Sequence, residues 1–279
     1  MSHKLSIITI NRNNADGLRK TIESVVHQSF KNFEFIVIDG NSTDGSVDVI
    51  KEYSEGISFW VSEFDSGVYN AMNKGITRAT GEYCLFLNSG DWLIDEKIVE
   101  YFCNLDVDYD FVYGDLYLWN NGIVTPRKFS NSEDIGYLEF YIDSGLPHQA
   151  TFIKRAIFST FGLYNETNLY VSDWELFFVA IVVHNSSFQH IDRVISYYDM
   201  TGLTARNESQ IKLNEERNLV LNHYLPLVNR SFFKILKQNQ ILRSKENIYS
   251  EYLSLKNGRL SLIVRIMLWL KRKVNKLGF

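Results

Sequence analysis

Three aspartates stand just beyond runs of β-forming residues. Asp39 closes FEFIVIDG, Asp65 follows SFWVSE, and Asp91 follows EYCLFLN through Asn88-Ser89-Gly90. A first run, KLSIITI at 4–10, ends at Thr9-Ile10-Asn11, a hydroxyl and an amide at the same kind of position. Carboxylates can accept hydrogen bonds, hold a cation or take a proton. In a parallel sheet, ligands bind beyond the carboxyl ends of the strands, where all these residues would lie. Any one aspartate alone reads as a helix cap or turn residue, but three converging on one rim are harder to assign to caps. A fourth, Asp173, opens the apolar stretch SDWELFFVAIVVH (172–184), where Ser172 and Asp173 also read as a capping signal. Glu175 lies two helical positions on and points away from Asp173. His148 stands in LPHQATF, and its plainer reading is a hydrogen-bonded structural histidine.

The elements that must position these groups follow from periodicity. Leu18, Ile22, Val25 and Val26 recur at helical spacing. Residues 33–40, 58–63 and 82–88 read as further strands, the last apolar at its centre as a buried parallel strand is. Val47–Tyr53 follows the capping turn NSTDGS as a helix. Val68, Ala71, Met72, Gly75, Ile76 and Ala79 make an apolar helical stripe. This β-α-β-α-β-α-β order predicts an α/β fold with a mostly parallel sheet flanked by helices. The second half is less regular. It offers a hairpin around Asn120-Asn121-Gly122, strand then helix in QATFIKRAIF, a buried helix at 172–184, and a strand in FQHIDRVISYYDM. Residues 207–256 read as helical with one polar face.

The chain has 279 residues, 45% of them apolar, ordinary for a globular protein and too high for disorder. Cys84 and Cys103 are the only cysteines, too few for a disulfide framework, so the expected compartment is the reducing cytoplasm. The strand-like KLSIITI follows Met1 almost at once, which leaves no room for a signal peptide ahead of it. The net charge of −4 is divided unevenly. Residues 1–228 carry 17 Lys and Arg against 31 Asp and Glu, and residues 229–279 carry 12 against 2. A basic tail on an acidic body suggests an anionic partner surface. The tail's apolar run, 260–270, spans 11 residues, or roughly 16 Å as a helix, and is too short to cross a bilayer. With Trp269 and flanking Lys and Arg, it suits a helix lying in a membrane interface; the alternative is a terminal helix docked on the body.

On the segments SIITINRN (6–13), FEFIVIDGNSTDGS (33–46), SEFDSGVYNAMNKGITRATGEYCLFLNSGDWL (62–93), LPHQATFIKR (146–155) and SDWEL (172–176), the chain resembles the inverting glycosyltransferases of family 2, which have the GT-A fold. The segments run in family order over about the first 205 residues, and the resemblance is nearest to bacterial O-antigen and capsule enzymes. It implies a GT-A domain at 1–205. Residues 206–279 carry no motif of the family, and their own pattern reads as a helical C-terminal extension, with the membrane-surface segment at about 256–279. It implies a UDP-sugar donor held by Thr9, Asn11, Asp39, Asp65, Lys74 and Asn88. It also implies a divalent metal, Mg²⁺ or Mn²⁺, on Asp91, and a catalytic base at Asp173. His148 and Trp174 fall on the acceptor side. Asn88-Ser89-Gly90-Asp91 departs from the family's acidic motif, because Gly90 stands at an acidic position and Asn88 replaces the first acid. Mg²⁺ takes only one or two protein carboxylates, so Asp91 alone suffices; ribose recognition by the missing acid is left open. Lys74 and Arg78, one turn apart, could reach the diphosphate, with Arg78 reading better as a solvated face.

The expected partners are a lipid-linked saccharide acceptor and an anionic membrane, at the inner face of the cytoplasmic membrane. Nucleic acid does not suit an acidic body, and a homodimer stays open. A dehydrogenase or nucleotidyltransferase would want a glycine-rich turn after strand one, where this chain has NRNNADG. A second alternative is a catalytically degenerate GT-A module acting in membrane assembly or partner binding. Retention of Asp39, Asp65, Asp91 and Asp173 together argues against it.

Overall fold

A computed structural model describes residues 3–129, 140, 145–202 and 207–224. Its first strand, β1 (Leu5–Asn11), is buried at all seven positions. It runs parallel to β2 (Glu34–Asp39) on one side and to β4 (Tyr83–Phe86) on the other, and β2 runs parallel to β3 (Phe59–Ser62). Helices supply the crossovers. In α1 (Ala15–Val26) the Asn14 side chain accepts the Gly17 N–H, and Leu18, Ile22 and Val25 face the core. α2 is Ser46–Glu52 and α3 is Val68–Arg78. The apolar stripe expected on α3 faces the sheet through Ala71, Met72, Gly75 and Ile76. Gly75 is needed there, because a Cβ would meet Ile8 Cγ2 at 2.4 Å.

Beyond β4 the sheet changes direction. β8 (Thr151–Lys154) pairs antiparallel with β4, and β6 (Phe111–Asn120) antiparallel with β8. β9 (Phe188–Asp199) then runs parallel to β6, with register irregularities around Asp115. The two-residue β5 (Trp92–Leu93) closes the far edge against β9, giving the order β3-β2-β1-β4-β8-β6-β9-β5. β7 (Ile123–Arg127) hangs on β6 as the expected hairpin, whose turn has Asn121 at φ 49° and Gly122 at φ 89°. α4 is Ile98–Asn104 and α5 is Ala156–Phe161. The ring of Phe102 on α4 lies flat on Phe152 of β8 at 3.7 Å, tying that helix to the middle of the sheet. The architecture is the expected α/β type, and strand ends differ from the sequence expectation by one or two residues.

One local expectation is corrected. The helix opening at SDWEL, α6 (Ser172–Phe177), has Val171 as its N-cap and no side-chain capping bond, so neither Ser172 nor Asp173 caps it. Ser172 Oγ instead accepts the Asn165 N–H, which frees Asp173 for other partners. The helix continues as a turn of π-helix over Phe178–Val183. The last described helix, α7 (Asn207–Tyr224), belongs to the compact unit that ends at Tyr224. The expected membrane-surface segment at 256–279 lies outside the described residues. No helix among the described residues is long and apolar enough to cross a membrane.

Because α3 sits on β1 through a glycine, Gly75→Val should cost about 1–3 kcal/mol by overpacking. Denaturant unfolding reads this directly, and an unchanged midpoint would contradict the close approach.

Candidate active site

The strand ends do meet on one rim. Asp39, fully buried, accepts four hydrogen bonds: from Asn11 Nδ2 (2.7 Å) and Ser42 Oγ (2.6 Å) on Oδ1, and from the Ser42 N–H (2.9 Å) and Ser62 Oγ (2.6 Å) on Oδ2. Its carboxylate therefore knits the ends of β1, β2 and β3. Two neighbouring oxygens are left without partners: Thr9 Oγ1 and Asn11 Oδ1 are both buried and unbonded. Unpaired buried polar atoms are costly in a folded chain, and their clustering at a strand-end rim marks a place for a polar ligand. Asp65 stands beside Asp39 at the start of α3, where its Oδ1 accepts the Gly67 N–H. Gly40 permits this approach, since a Cβ there would fall 2.1 Å from Asp65 Oδ2. Lys74 is pinned to the same loop by the Phe64 carbonyl (2.7 Å) and Glu63 (2.8 Å). Arg78 lies outside, over the Phe59 ring, as its solvated reading expected. A cleft of about 430 Å³ on the outer side of α3, lined by Phe59, Val61, Lys74, Arg78 and Glu166, includes none of the rim aspartates.

The turn after β4 places the second group. Gly90 has φ +110°, and a Cβ there would come 3.3 Å from Asp199 Oδ2. That geometry explains the glycine at a position where the family pattern has an acid, because a side chain would strain the backbone. Thr21 of α1 ties the turn down, its hydroxyl donating to the Asp91 carbonyl (2.7 Å) and accepting the Gly90 N–H (3.0 Å). Asp91 is 4% exposed, and its Oδ1 accepts the Asp199 N–H at 2.9 Å. Burial pushes its pKa up to about 7, and the nearby Asp199 charge adds to this. Asp199 and Lys20 are site residues that sequence reasoning missed. Lys20 sits over the rings of Trp92 and Trp119 at 3.1 and 4.3 Å, and desolvation lowers its pKa. Asp199 fell inside the strand-like run FQHIDRVISYYDM with no role of its own, and Lys20 carried no motif.

The third group joins distant parts of the chain. His148 Nδ1 donates to Asp173 Oδ2 at 2.6 Å, and Tyr69 Oη donates to Asp173 Oδ1 at 2.9 Å. On its other side His148 Nε2 faces Asn88 Nδ2 at 3.3 Å. One ring thus links the Asp173 carboxylate to the β4 end. Burial alone would lower the His148 pKa, but the bond to Asp173 and the charges of Asp173 and Asp91 outweigh it and raise the value. Asp173 is held below the ordinary carboxylate range, because bonding and charge from His148 overcome its burial. Burial and the Asp173 charge drive the Tyr69 hydroxyl well above its usual value, so it stays a donor. Tyr69 lies off the apolar stripe read on that helix and had been given no role. Glu175 turns away to Asn165 and Asn168, as its position on the helix implied. Trp174 is 3% exposed, stacked flat on Phe178 and covered by Arg217, so it presents no open face to a sugar.

The rim also fits a divalent cation. Asp91 is a buried carboxylate with a raised pKa, and the Asn88 Oδ1 beside it on the turn is buried without a partner. Among the described residues no group of three or more His, Cys, Asp or Glu could form a closed cage. Mg²⁺ and Mn²⁺ do not need one: a single carboxylate completed by water and phosphate oxygens is an ordinary arrangement for Mg²⁺.

A model of glycosyl transferase family 2 matches residues 6–165. The chain is 31% identical over 176 residues to the PGL/p-HBAD biosynthesis glycosyltransferase of Mycobacterium bovis, a match covering 61% of this chain and 66% of that one, just under two thirds of its length. It is 30% identical over 222 residues to an uncharacterized glycosyltransferase of Mycobacterium tuberculosis, covering 77% of this chain and 82% of the relative. Staphylococcus aureus TarS 1-349 in complex with UDP-GlcNAc superposes with a TM-score of 0.65 at 15% identity, over 94% of this chain and 69% of that one. The mannosyltransferase PcManGT from Pyrobaculum calidifontis, in complex with GDP-Man and Mn²⁺, gives 0.54 at 14% identity, over 71% and 57%. The fold defined by the sheet and its rim is thus the GT-A fold, and the chain belongs to glycosyl transferase family 2.

With its pKa pushed up to about 7 by burial, from an ordinary carboxylate value of 3.8, Asp91 in the metal-free folded protein holds a proton that the unfolded chain releases. The contribution of Asp91 to stability therefore falls as pH rises from about 4 to 7. Asp91→Asn should remove that penalty and stabilise the chelated protein at pH 8 by up to about 4 kcal/mol, with little effect at pH 4. Thermal melts at the two pH values check this, and an equal shift at both would contradict it.

Proposed function

We propose that this protein transfers a sugar from a UDP-sugar to a saccharide acceptor, with inversion at the anomeric carbon and with a divalent cation. The observation that carries the reading is the His148 bridge, which sets the Asp173 carboxylate across from the Asn88–Asp91 turn. A displacement needs such an arrangement, with a proton acceptor on one side of the anomeric carbon and the leaving diphosphate on the other.

The geometry supports the following division of roles. The unpartnered Thr9 and Asn11 oxygens and the Asp39 carboxylate form the nucleoside end. The rotatable hydroxyls of Ser42 and Ser62 can give up Asp39 oxygens to the uracil N–H. Asp65, on the loop before α3, stands at the donor side; Lys74, held by Glu63 and the Phe64 carbonyl, would have to leave those partners to reach the diphosphate. A divalent cation on Asp91 would neutralise charge on the leaving diphosphate. Asp173, ionised at neutral pH and oriented by the His148 N–H and the Tyr69 O–H, takes the proton as the acceptor oxygen bonds to the anomeric carbon and the bond to the diphosphate breaks. An α-linked donor then yields a β-linkage.

The acceptor proposed is a lipid-linked oligosaccharide in the assembly of a bacterial surface polysaccharide of the O-antigen or capsule type. The reaction would take place at the inner face of the cytoplasmic membrane. The basic, tryptophan-bearing segment at 256–279 motivates this placement, since each Lys or Arg near an anionic surface adds about 1 kcal/mol.

The test is donor hydrolysis by purified protein across a panel of nucleotide sugars. UDP-sugars should be consumed, EDTA should abolish turnover, and Mn²⁺ or Mg²⁺ should restore it. Asp173→Asn should cut kcat by roughly 10²–10⁴ while UDP affinity stays near that of the unmodified protein. Preference for GDP or CDP would remove the role given to Asp39, and a near-normal kcat would remove Asp173 from the mechanism.

A further inference from the structure

Helix α7 brings another cation to the Asp173 side of the site, and among the described residues no acid is bonded to it. The Arg217 guanidinium lies 5.3 Å from the centre of the Trp174 ring, one residue from Asp173. Its Nε is buried without a hydrogen-bond partner. Arg127, at the end of β7, is close enough for its charge to oppose that of Arg217. It rests on the Phe129 ring at 5.1 Å, and among the described residues it too makes no ion pair. The acids nearby are otherwise engaged. Both Glu216 carboxylate oxygens accept backbone N–H groups, from Leu169 and Tyr170, at 2.9 Å each. Both Asp173 oxygens accept bonds from Tyr69 and His148, so Asp173 favours the Arg217 cation through its charge alone, as one carboxylate against two guanidiniums. These Glu216 bonds fix α7 against the loop that leads into α6, so the position of Arg217 is set by structure and not by a free side chain.

With Asp173 as the single counter-charge, two guanidiniums within range of each other's charge, one of them largely desolvated with a buried unpartnered Nε, leave an excess of positive charge that a further anion would complete. Guanidinium forks match phosphate oxygens, and a dianion satisfies two of them at once. We propose that Arg217 and Arg127 form a subsite for a phosphate or diphosphate group beside Asp173. The proposal rests on the sugar-transfer reading, which supplies that chemistry from two sources: the diphosphate of the donor, or the phosphate that links an acceptor saccharide to its lipid. It gives α7, which lies beyond the residues matched by the family model, a direct part in substrate binding.

The experiment is calorimetric titration of the full chain in magnesium buffer with UDP, with UMP and with inorganic pyrophosphate, the last both on free protein and on protein saturated with UDP. The wild type is compared with Arg217→Gln and Arg127→Gln. Each variant should weaken the diphosphate ligand roughly 10–100-fold, the loss expected for a hydrogen bond to a charged group. A loss confined to UDP, with UMP unchanged, assigns the subsite to the donor's outer phosphate. Unchanged UDP binding, with loss of the pyrophosphate that the UDP-loaded wild type takes up, assigns it to the acceptor's phosphate. Unchanged binding of both UDP and pyrophosphate in both variants overturns the proposal. A wild type that binds pyrophosphate through these arginines but no uridine nucleotide would defeat the UDP-sugar reading and leave the subsite standing. Arg127 sits on a largely exposed strand, so Arg127→Gln leaves the core untouched and decides the matter if Arg217→Gln fails to fold.

Discussion

The 2.6 Å bond between His148 and Asp173 is the contact on which the site depends. It joins the short turn before β8 to the first turn of α6, and through Tyr69 it reaches α3. Through Asn88 it reaches the end of β4. Four segments far apart in sequence are thereby held around one space. Burial would drive both partners toward their neutral forms. Their pairing reverses that for each, raising the histidine and lowering the aspartate. A buried pair of this kind is strongly coupled to its surroundings, because removing either partner strands the other.

Around that node the sheet changes direction. The first four strands in spatial order, β3-β2-β1-β4, are parallel and present their carboxyl ends as a rim. The antiparallel β8 lies next to β4, so the chain enters β8 from the rim side. His148 and Gln149, immediately before β8, therefore stand at the rim. β9 runs parallel to β6 and ends at Asp199, whose backbone N–H meets Asp91. The ends of β1 and β2, Asp91 and the His148–Asp173 pair are thus brought along one edge, the first three by strand direction and Asp173 by its bond from helix α6.

The parallel half was legible in the sequence because buried parallel strands read as continuous apolar runs, and the α3 stripe kept strict helical spacing. The rim aspartates were legible for the same reason, each standing where a strand signal stops. Tyr69 was not, because it stands off the apolar stripe and its role depends on a bond to Asp173 across 104 residues of sequence. Asp199 and Lys20 were invisible because they act across long-range contacts, to Asp91 and to Trp92 and Trp119, and Arg217 because it lies on a helix with no motif. The capping reading of Ser172 and Asp173 failed because Asn165 claims Ser172 and His148 claims Asp173. Local propensity lost there to a tertiary bond. Gly90, which looked like damage to a metal motif, follows from the backbone, since the turn requires a positive φ.

The central claim is that this rim holds a uridine diphosphate and a divalent cation together. Crystals grown with UDP and Mn²⁺, measured at the manganese absorption edge, test it most directly. The account predicts an anomalous peak within about 2–2.5 Å of an Asp91 carboxylate oxygen, with the uracil ring against Asp39 and the diphosphate between them. A peak away from Asp91, or a nucleotide bound elsewhere than the ends of β1 and β2, would contradict it.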